Sequence, residues 1–278
     1  MKKPNLTLKL IIPIFCGILL YGLYNFFMKS NVRDWDEIVE SKVINIATPY
    51  NLIDFTYGAE GFQGFQYELL NAILDSKGVD INIQPIADFD SMIEGLIEGK
   101  YDLLAAPIPN TTELKERIAL TSPILKNNLV LVQRNDSTAL ADSLYINSQL
   151  QLARKEIYVL KNSPSILRLE NLSNEIGDTI FYKELDRYGD EQLISLVAHG
   201  DINYAICDER IASRMADSIP HLDTSLAIGF TQLYSWAVNQ NAIDLLEQLN
   251  TWIQEFIPTP EYTEIYTKYF KSQPDIKE

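Results

Sequence analysis

The chain has 278 residues, 46% of them hydrophobic, and its acidic side chains outnumber its basic ones for a net charge of −15. That length and apolar content suffice for a large buried core and for one or two domains. The acidic balance excludes the basic face that nucleic-acid phosphates require, so no nucleic-acid partner is expected.

Lys2, Lys3 and Lys9 lead into Leu10–Met28, a run without a charged residue. At about 1.5 Å per residue this run just crosses a bilayer core of roughly 30 Å. The basic flank predicts that the N-terminus stays in the cytoplasm and the rest is delivered across. No small residues stand where a cut site would need them, which favours an uncleaved anchor over a removed signal peptide, and Phe15 before Cys16 does not suit a lipoprotein signal. The membrane then separates Cys16 from Cys207, so no intramolecular disulfide is expected. Cys207 reads as a small buried hydrophobe.

Asn31–Lys42 reads as a polar spacer. Val43–Tyr50 follows as the first strand, with Pro49 and Tyr50 at its exit, where Tyr50, and with it Phe55 or Tyr57, is a candidate lining for a cleft. After a loop holding Gly61 and Gly64, Phe65, Leu69, Ile73 and Leu74 recur at helical spacing. Val79, Ile81 and Ile83 alternate as a strand. Met92, Ile93, Leu96 and Ile97 form a second helix face with Asp90 placed to cap it. The apolar run from Tyr101 to Ala106 reads as a strand buried on both faces. Helices alternating with strands predict a parallel α/β sheet whose ligands lie beyond the strand ends, here at Ala106–Thr112.

A further apolar strand ends at Gln133 and Arg134, and the polar stretch after it reads as passage into a second lobe. The strand–helix pattern then restarts, with Pro164 in the first turn of a helix. An internal echo links Gly99 to Gly200 and Pro107 to Asp208: in each unit an apolar helix ends at Gly and a buried strand follows. The strand around Trp236 reads as a return to the first lobe. Leu245, Leu246, Leu249, Trp252 and Ile253 then share one helical face, and Pro260–Phe270 forms the last helix.

Several of these residues carry a family resemblance. Gly64, Phe65, Glu68 and Leu69 match a "G-F-x-x-(D/E)-L" helix start; Leu96, Gly99 and Asp102 an "L-x-x-G-x-x-D" strand entry; Thr111 and Glu113 a "T-x-E-R" turn; Thr121 and Pro123 an "(S/T)-x-P" exit. From about Val43 to Phe270 the chain resembles the family 3 extracellular solute-binding proteins of the amino-acid-binding type. Its wording is nearest to the non-catalytic domain of the membrane-bound lytic transglycosylases F. The resemblance implies an α/β, two-lobed, type II periplasmic-binding-protein-like fold with a discontinuous first lobe, to which the N-terminal transmembrane helix is added. Residues 1–30 are then cytoplasmic stub and anchor, 31–42 spacer, 43–134 the first part of lobe 1, 135–229 the crossover and lobe 2, and 230–278 the return to lobe 1. Crossings near Arg134 and Gly229 act as the hinge. The expected location is a bacterial inner membrane, single-pass, with the soluble part in the periplasm.

The resemblance also implies site residues. Asp208 matches the family's ammonium-binding Asp, and from local sequence it equally reads as a helix N-cap. Ser163 and Ser165 flank Pro164, either capping that helix or offering donors to an anion or a peptide carbonyl. Tyr50 matches the family's aromatic ring, and Thr111 belongs to the carboxylate-binding turn. The family's carboxylate-gripping Arg falls on Leu114; Arg117, one turn later, is either its displaced counterpart or a surface charge paired with Glu113 or Glu116. Pro107 and Pro109 stand where the family often places donors, and proline has no N–H. His199 and His221 have no partners at metal-ligand spacing. No phosphate loop or nucleophile motif is present. The reading is therefore a non-catalytic, cofactor-free binder of a small polar ligand or cell-wall peptide, working with a permease or a cell-wall enzyme. The alternative is an envelope interaction protein whose cleft has lost its ligand.

Overall fold

The computed structural model describes residues 31–59, 61–136, 144–186, 189–270 and 274. The anchor expected at Leu10–Met28, with Cys16, lies outside the described residues. Among the described residues no helix is long and apolar enough to cross a membrane.

The segment read as a spacer is part of the domain. Helix α1 (Trp35–Ser41) is closed by a capping box, in which Asp34 and Glu37 satisfy each other's backbone ends. Val32, Trp35 and Ile38 make an apolar helical face on the main core. Trp35 meets Trp252 edge-on at 5.0 Å, and the Asp34 carboxylate also accepts from Leu245 N at 2.7 Å. Arg33 pairs with the buried Asp102. The abundance of charge in this stretch hides a narrow but sufficient apolar stripe.

Strand β1 (Val43–Thr48) leads to a short hairpin, β2 (Thr56–Gly58) with β3 (Gly61–Gln63), and then to α2 (Phe65–Leu74). Next come β4 (Asp80–Pro85), α3 (Phe89–Ile97), β5 (Leu103–Pro109), α4 (Thr112–Arg117) and β6 (Ala119–Asn127). Asp88 caps α3 by accepting from Ser91 N at 2.7 Å. The cap stands two residues earlier than the expected Asp90 because Phe89 extends the apolar face.

The chain continues with β7 (Leu129–Arg134), a 3-10 turn (Gln149–Leu152), β8 (Glu156–Leu160) and α5 (Pro164–Ile176). It then forms β9 (Phe181–Leu185), α6 (Asp190–His199), β10 (Ala205–Asp208), α7 (Glu209–Ala216) and β11 (Leu222–Ala227). It returns through β12 (Gln232–Val238) to α8 (Ile243–Phe256) and α9 (Pro260–Tyr269).

Two five-stranded sheets result, ordered β4-β1-β5-β12-β6 and β11-β7-β10-β8-β9. In the first, β1 runs parallel to β4 and β5, with Ile44 beside Ile81 and Ile46 beside Leu103. Strand β12 runs antiparallel between β5 and β6, which makes lobe 1 discontinuous. Strand β7 belongs to the second sheet, so the first crossing is at Asn128 and not near Arg134 as the sequence suggested. An apolar strand does not announce which of two sheets it joins; the polar pair Asn127–Asn128 is where the chain changes sheets. The second crossing runs between Ala227 and Gln232.

The core follows from the same patterns. Leu245, Leu249 and Ile253 of α8 and Tyr262 of α9 are fully buried, each such aliphatic side chain contributing roughly 1.5–3 kcal/mol by leaving water. Tyr262 donates to Ile124 O of β6 at 2.6 Å. Phe65, Tyr266 and Phe270 complete an aromatic cluster that fastens α9 to α2.

Candidate functional site

The strand ends of both sheets face a common cavity of about 590 Å³. Lobe 1 contributes the loop after β1 (Pro49, Tyr50, Asn51, Leu52, Asp54) and the end of β5 (Ala106, Pro107, Pro109). Lobe 2 contributes three helix starts: Ser163 to Ser165 at α5, Asp190 and Glu191 at α6, and the β10–α7 junction with Cys207, Asp208 and Arg210.

Asp54 is held by a folded loop. The Asn51 side-chain oxygen accepts from Ile53 N at 2.9 Å and from Asp54 N at 2.7 Å, an Asx turn. Gly64, at φ 136°, lies against the Asp54 carbonyl; a Cβ there would stand 2.4 Å from that oxygen, so only glycine allows the approach. The Asp54 carboxylate accepts from Asn51 Nδ2 at 2.9 Å, from Gln66 Nε2 at 3.3 Å and from Arg210 at 3.0 Å. Gln66 in turn accepts from Trp236 Nε1 at 2.7 Å.

Across the cleft, Asp208 does two things at once. It caps α7 by accepting from Arg210 N at 2.8 Å, and it grips the Arg210 guanidinium, with Nη2 at 2.6 Å. Asn127 Nδ2 donates to the same carboxylate at 2.8 Å. A hydrogen-bonded chain therefore runs Trp236–Gln66–Asp54–Arg210–Asp208–Asn127; it passes from lobe 1 to lobe 2 through the Arg210 guanidinium and returns to lobe 1 at Asn127, the last residue of β6. Burial alone would lower the Arg210 pKa, but the carboxylates of Asp208 and Asp54 outweigh it and raise it. A further contact between the lobes joins Leu52 N to Glu191 Oε1 at 2.9 Å.

Asp190 is the perturbed acid of this site. Burial, then the carboxylates of Asp208 and Glu191, push its pKa up to about 7, while the Cys207 thiol and an Asp208 backbone hydrogen bond partly oppose this. Burial and the same acidic neighbours raise the Cys207 thiol, so it stays protonated as the donor to Asp190. Tyr234, which also lines the cavity, is raised by burial and then by Asp208.

The expected site residues part company here. Tyr50 lines the cavity at its rim and is 57% exposed. Ser163 and Ser165 line it too; their hydroxyls lie 2.5 Å apart and bond to each other, and Ser163 makes no side-chain cap on α5. Thr111 caps α4 by accepting from Leu114 N at 3.3 Å and is not among the cavity-lining residues. Arg117 points elsewhere, paired with Glu94 at 2.5 Å and Asp90 at 3.9 Å on the surface of α3, and not with Glu113 or Glu116. Leu114 packs with Ala106, Ile108 and Ile118 in a small core behind β5. The rebuilt turn that would bring Arg117 to the cleft does not form, because Leu114 anchors α4 to that core.

Asp54, Asp190, Glu191 and Arg210 were not singled out from the sequence. Asp190 and Glu191 open an apolar helix, where acids are common for helix-dipole reasons, so they blended in. The usable signal for Arg210 was its place two residues after Asp208, on the buried side of a strongly amphipathic helix. For Asp54 it was the glycine-rich hairpin that follows.

The sequence profile of the bacterial extracellular solute-binding proteins, family 3, matches residues 44–272. The chain is 26% identical over 215 residues to the membrane-bound lytic murein transglycosylase F of Shewanella woodyi, covering 77% of this chain and 43% of that protein. It is 27% identical over 238 residues to the protein of the same name from Alteromonas mediterranea, covering 85% and 50%. It thus spans about half the length of these curated relatives. Among solved structures it superposes on an ABC uptake transporter substrate-binding protein from Streptococcus pneumoniae with bound histidine. The TM-score is 0.75 at 19% identity, over 87% of this chain and 98% of that one.

Proposed function

The chain belongs to the bacterial extracellular solute-binding proteins, family 3, and from that premise we propose that it is a membrane-anchored, periplasm-facing binding domain that closes on a small polar ligand. The observation that carries this reading is the ligand-sized cavity, lined from both sides, between two lobes whose chain connections are two short crossings. A ligand that touches both walls favours the closed arrangement by its extra contacts there. Asp208, Tyr50, Ser163 and Ser165 are the contacts carried over from the sequence, with Asp54, Asp190 and Glu191 added by the fold. The ligand is amino-acid-like or a cell-wall peptide, and binding serves sensing, regulation or transport, with a cell-wall enzyme or a permease as partner.

The test is a thermal-shift screen of the detergent-solubilised full chain against amino acids, short peptides and muropeptides, with Asp208→Asn alongside. A ligand at a hundred times its Kd adds about 2.7 kcal/mol, a readily measured rise in Tm. Alkaline extraction of membranes tests the anchor: the chain stays in the pellet if Leu10–Met28 spans the bilayer.

A second reading has one specific observation behind it. Arg210 already bridges carboxylates of the two lobes, so the lobes are held together without a ligand. An envelope interaction protein that keeps the fold and has lost the ligand would look like this, and it would give no response in the same screen.

A further inference from the structure

The charges lining the cleft are one-sided. Asp54, Asp190, Glu191 and Asp208 face it against one guanidinium, Arg210. Its charge is already paired: Nε and Nη2 bond the two oxygens of Asp208, and Nη1 bonds Asp54. Among the described cavity-lining residues, a ligand carboxylate therefore meets no cation whose charge is not already paired. The turn after β5 does not replace it, because Leu114 is turned into the core and Pro107 and Pro109 have no N–H to offer.

Arg210 keeps two N–H donors, but its charge is already shared by two carboxylates; the acidic side chains facing the cleft also have acceptor capacity left. A carboxylate has about four acceptor positions. Glu191 uses one on Leu52 N. Asp190 takes the Cys207 thiol and one backbone hydrogen bond at Asp208. The rings of Tyr50 and Phe89 line the same cavity, surfaces that attract a cation through their faces. Among the described residues no cluster of His, Cys, Asp and Glu is arranged to hold a metal ion, so the complementary cation is an organic one. The donors that remain, the Ser163–Ser165 hydroxyl pair and the start of α5, carry no formal charge.

We infer that the ligand of this cleft is an organic cation, an amine or guanidine without a carboxylate, seated against Asp190 and Glu191 while Arg210 keeps Asp54 and Asp208 neutralised. The inference rests on the solute-binding reading above and names the chemical class that the site accepts. It sets this cleft apart from one that clamps both ends of a free amino acid.

Pairs of compounds that differ only by the carboxylate decide it. Titration calorimetry on the full chain compares agmatine with arginine, cadaverine with lysine, and histamine with histidine. At least one amine is expected to bind about 10-fold or more tighter than its parent amino acid. Glu191→Gln is expected to weaken that amine about 5-fold or more. Glu264→Gln, in the acidic outer groove between α2 and α9, is expected to leave it unchanged. Amino acids binding as tightly as their amines, or tighter, would overturn the cation assignment while leaving a solute-binding domain. Binding that responds to Glu264→Gln and not to Glu191→Gln would overturn the cleft as its place. Silence from the amines together with amino acids, peptides, muropeptides and neutral sugars would sink the solute-binding reading itself, and this inference with it.

Discussion

The two halves of the internal echo share a construction and end in different chemistry. In lobe 1, α3 ends before Gly99 and β5 leads to Pro107; in lobe 2, α6 ends before Gly200 and β10 leads to Asp208. Both glycines take the left-handed conformation, φ 73° and 85°, that lets the chain leave the helix and enter a buried strand. Beyond the strand the units diverge. The lobe 1 exit turns inward, with prolines on the cavity wall and Leu114 in the core. The lobe 2 exit turns its charge on the cleft, through Asp208 and Arg210. A shared supersecondary unit places a strand end at the cavity; what stands just after it decides what the wall can hold.

The largest effect that would test this contrast is on the lobe 2 exit. Arg210→Met leaves the buried Asp54 and the part-buried Asp208 without their cation and is expected to cost about 3–5 kcal/mol in denaturant unfolding. Adding Asp54→Asn should recover at least about 1 kcal/mol of it, because one of the stranded charges is removed. A loss under about 1 kcal/mol for Arg210→Met would mean that the bridge is not what joins the lobes. On the lobe 1 exit, Leu114→Ala should cost about 2–3 kcal/mol by leaving a cavity behind β5, and it should leave the affinity of a cleft ligand within about 2-fold. A ligand affinity that fell with Leu114 would erase the difference between the two walls.

Asp190 gives a smaller effect with a defined pH dependence. Its folded pKa, about 7, lies above its ordinary value of 3.8. The folded state therefore holds the proton more tightly, and the stability this brings is full below pH 4 and is lost as pH rises through about 7. The groups that face it are Asp208, Glu191 and Cys207. Asp190→Asn removes the burial of that charge. It should be more stable than the parent by about 1–3 kcal/mol at pH 8 and equal to it near pH 4. A pH-independent difference would show that Asp190 does not titrate in this range. Smallest of all, Gly99→Ala and Gly200→Ala should each cost about 1 kcal/mol. Gly200 should be the worse, since its new Cβ would lie 3.2 Å from the Arg134 guanidinium.

The apolar periodicities by themselves determined most of the larger helices and strands, the return strand around Trp236 and the Asp208 junction, but not the short hairpin β2–β3, helix α4 or strands β6 and β11. Each feature they determined is a local property: a 3.6 or 2.0 residue repeat, or a cap following a buried strand. The motif spacing was enough to place Leu114 where a cation was expected. What only the tertiary structure decided was everything that depends on two distant segments meeting. Strand β7 looks like any apolar strand until it pairs with β10, with Cys207 beside Val130. The stretch before Val43 looks like a spacer until Trp35 finds Trp252. Asp54 and Arg210, 156 positions apart, are ordinary loop and helix charges until the lobes bring them within one hydrogen bond. Sequence patterns report which face of an element is buried; the partner of a buried charge is set by packing, because a carboxylate specifies an opposite charge and not its place in the chain.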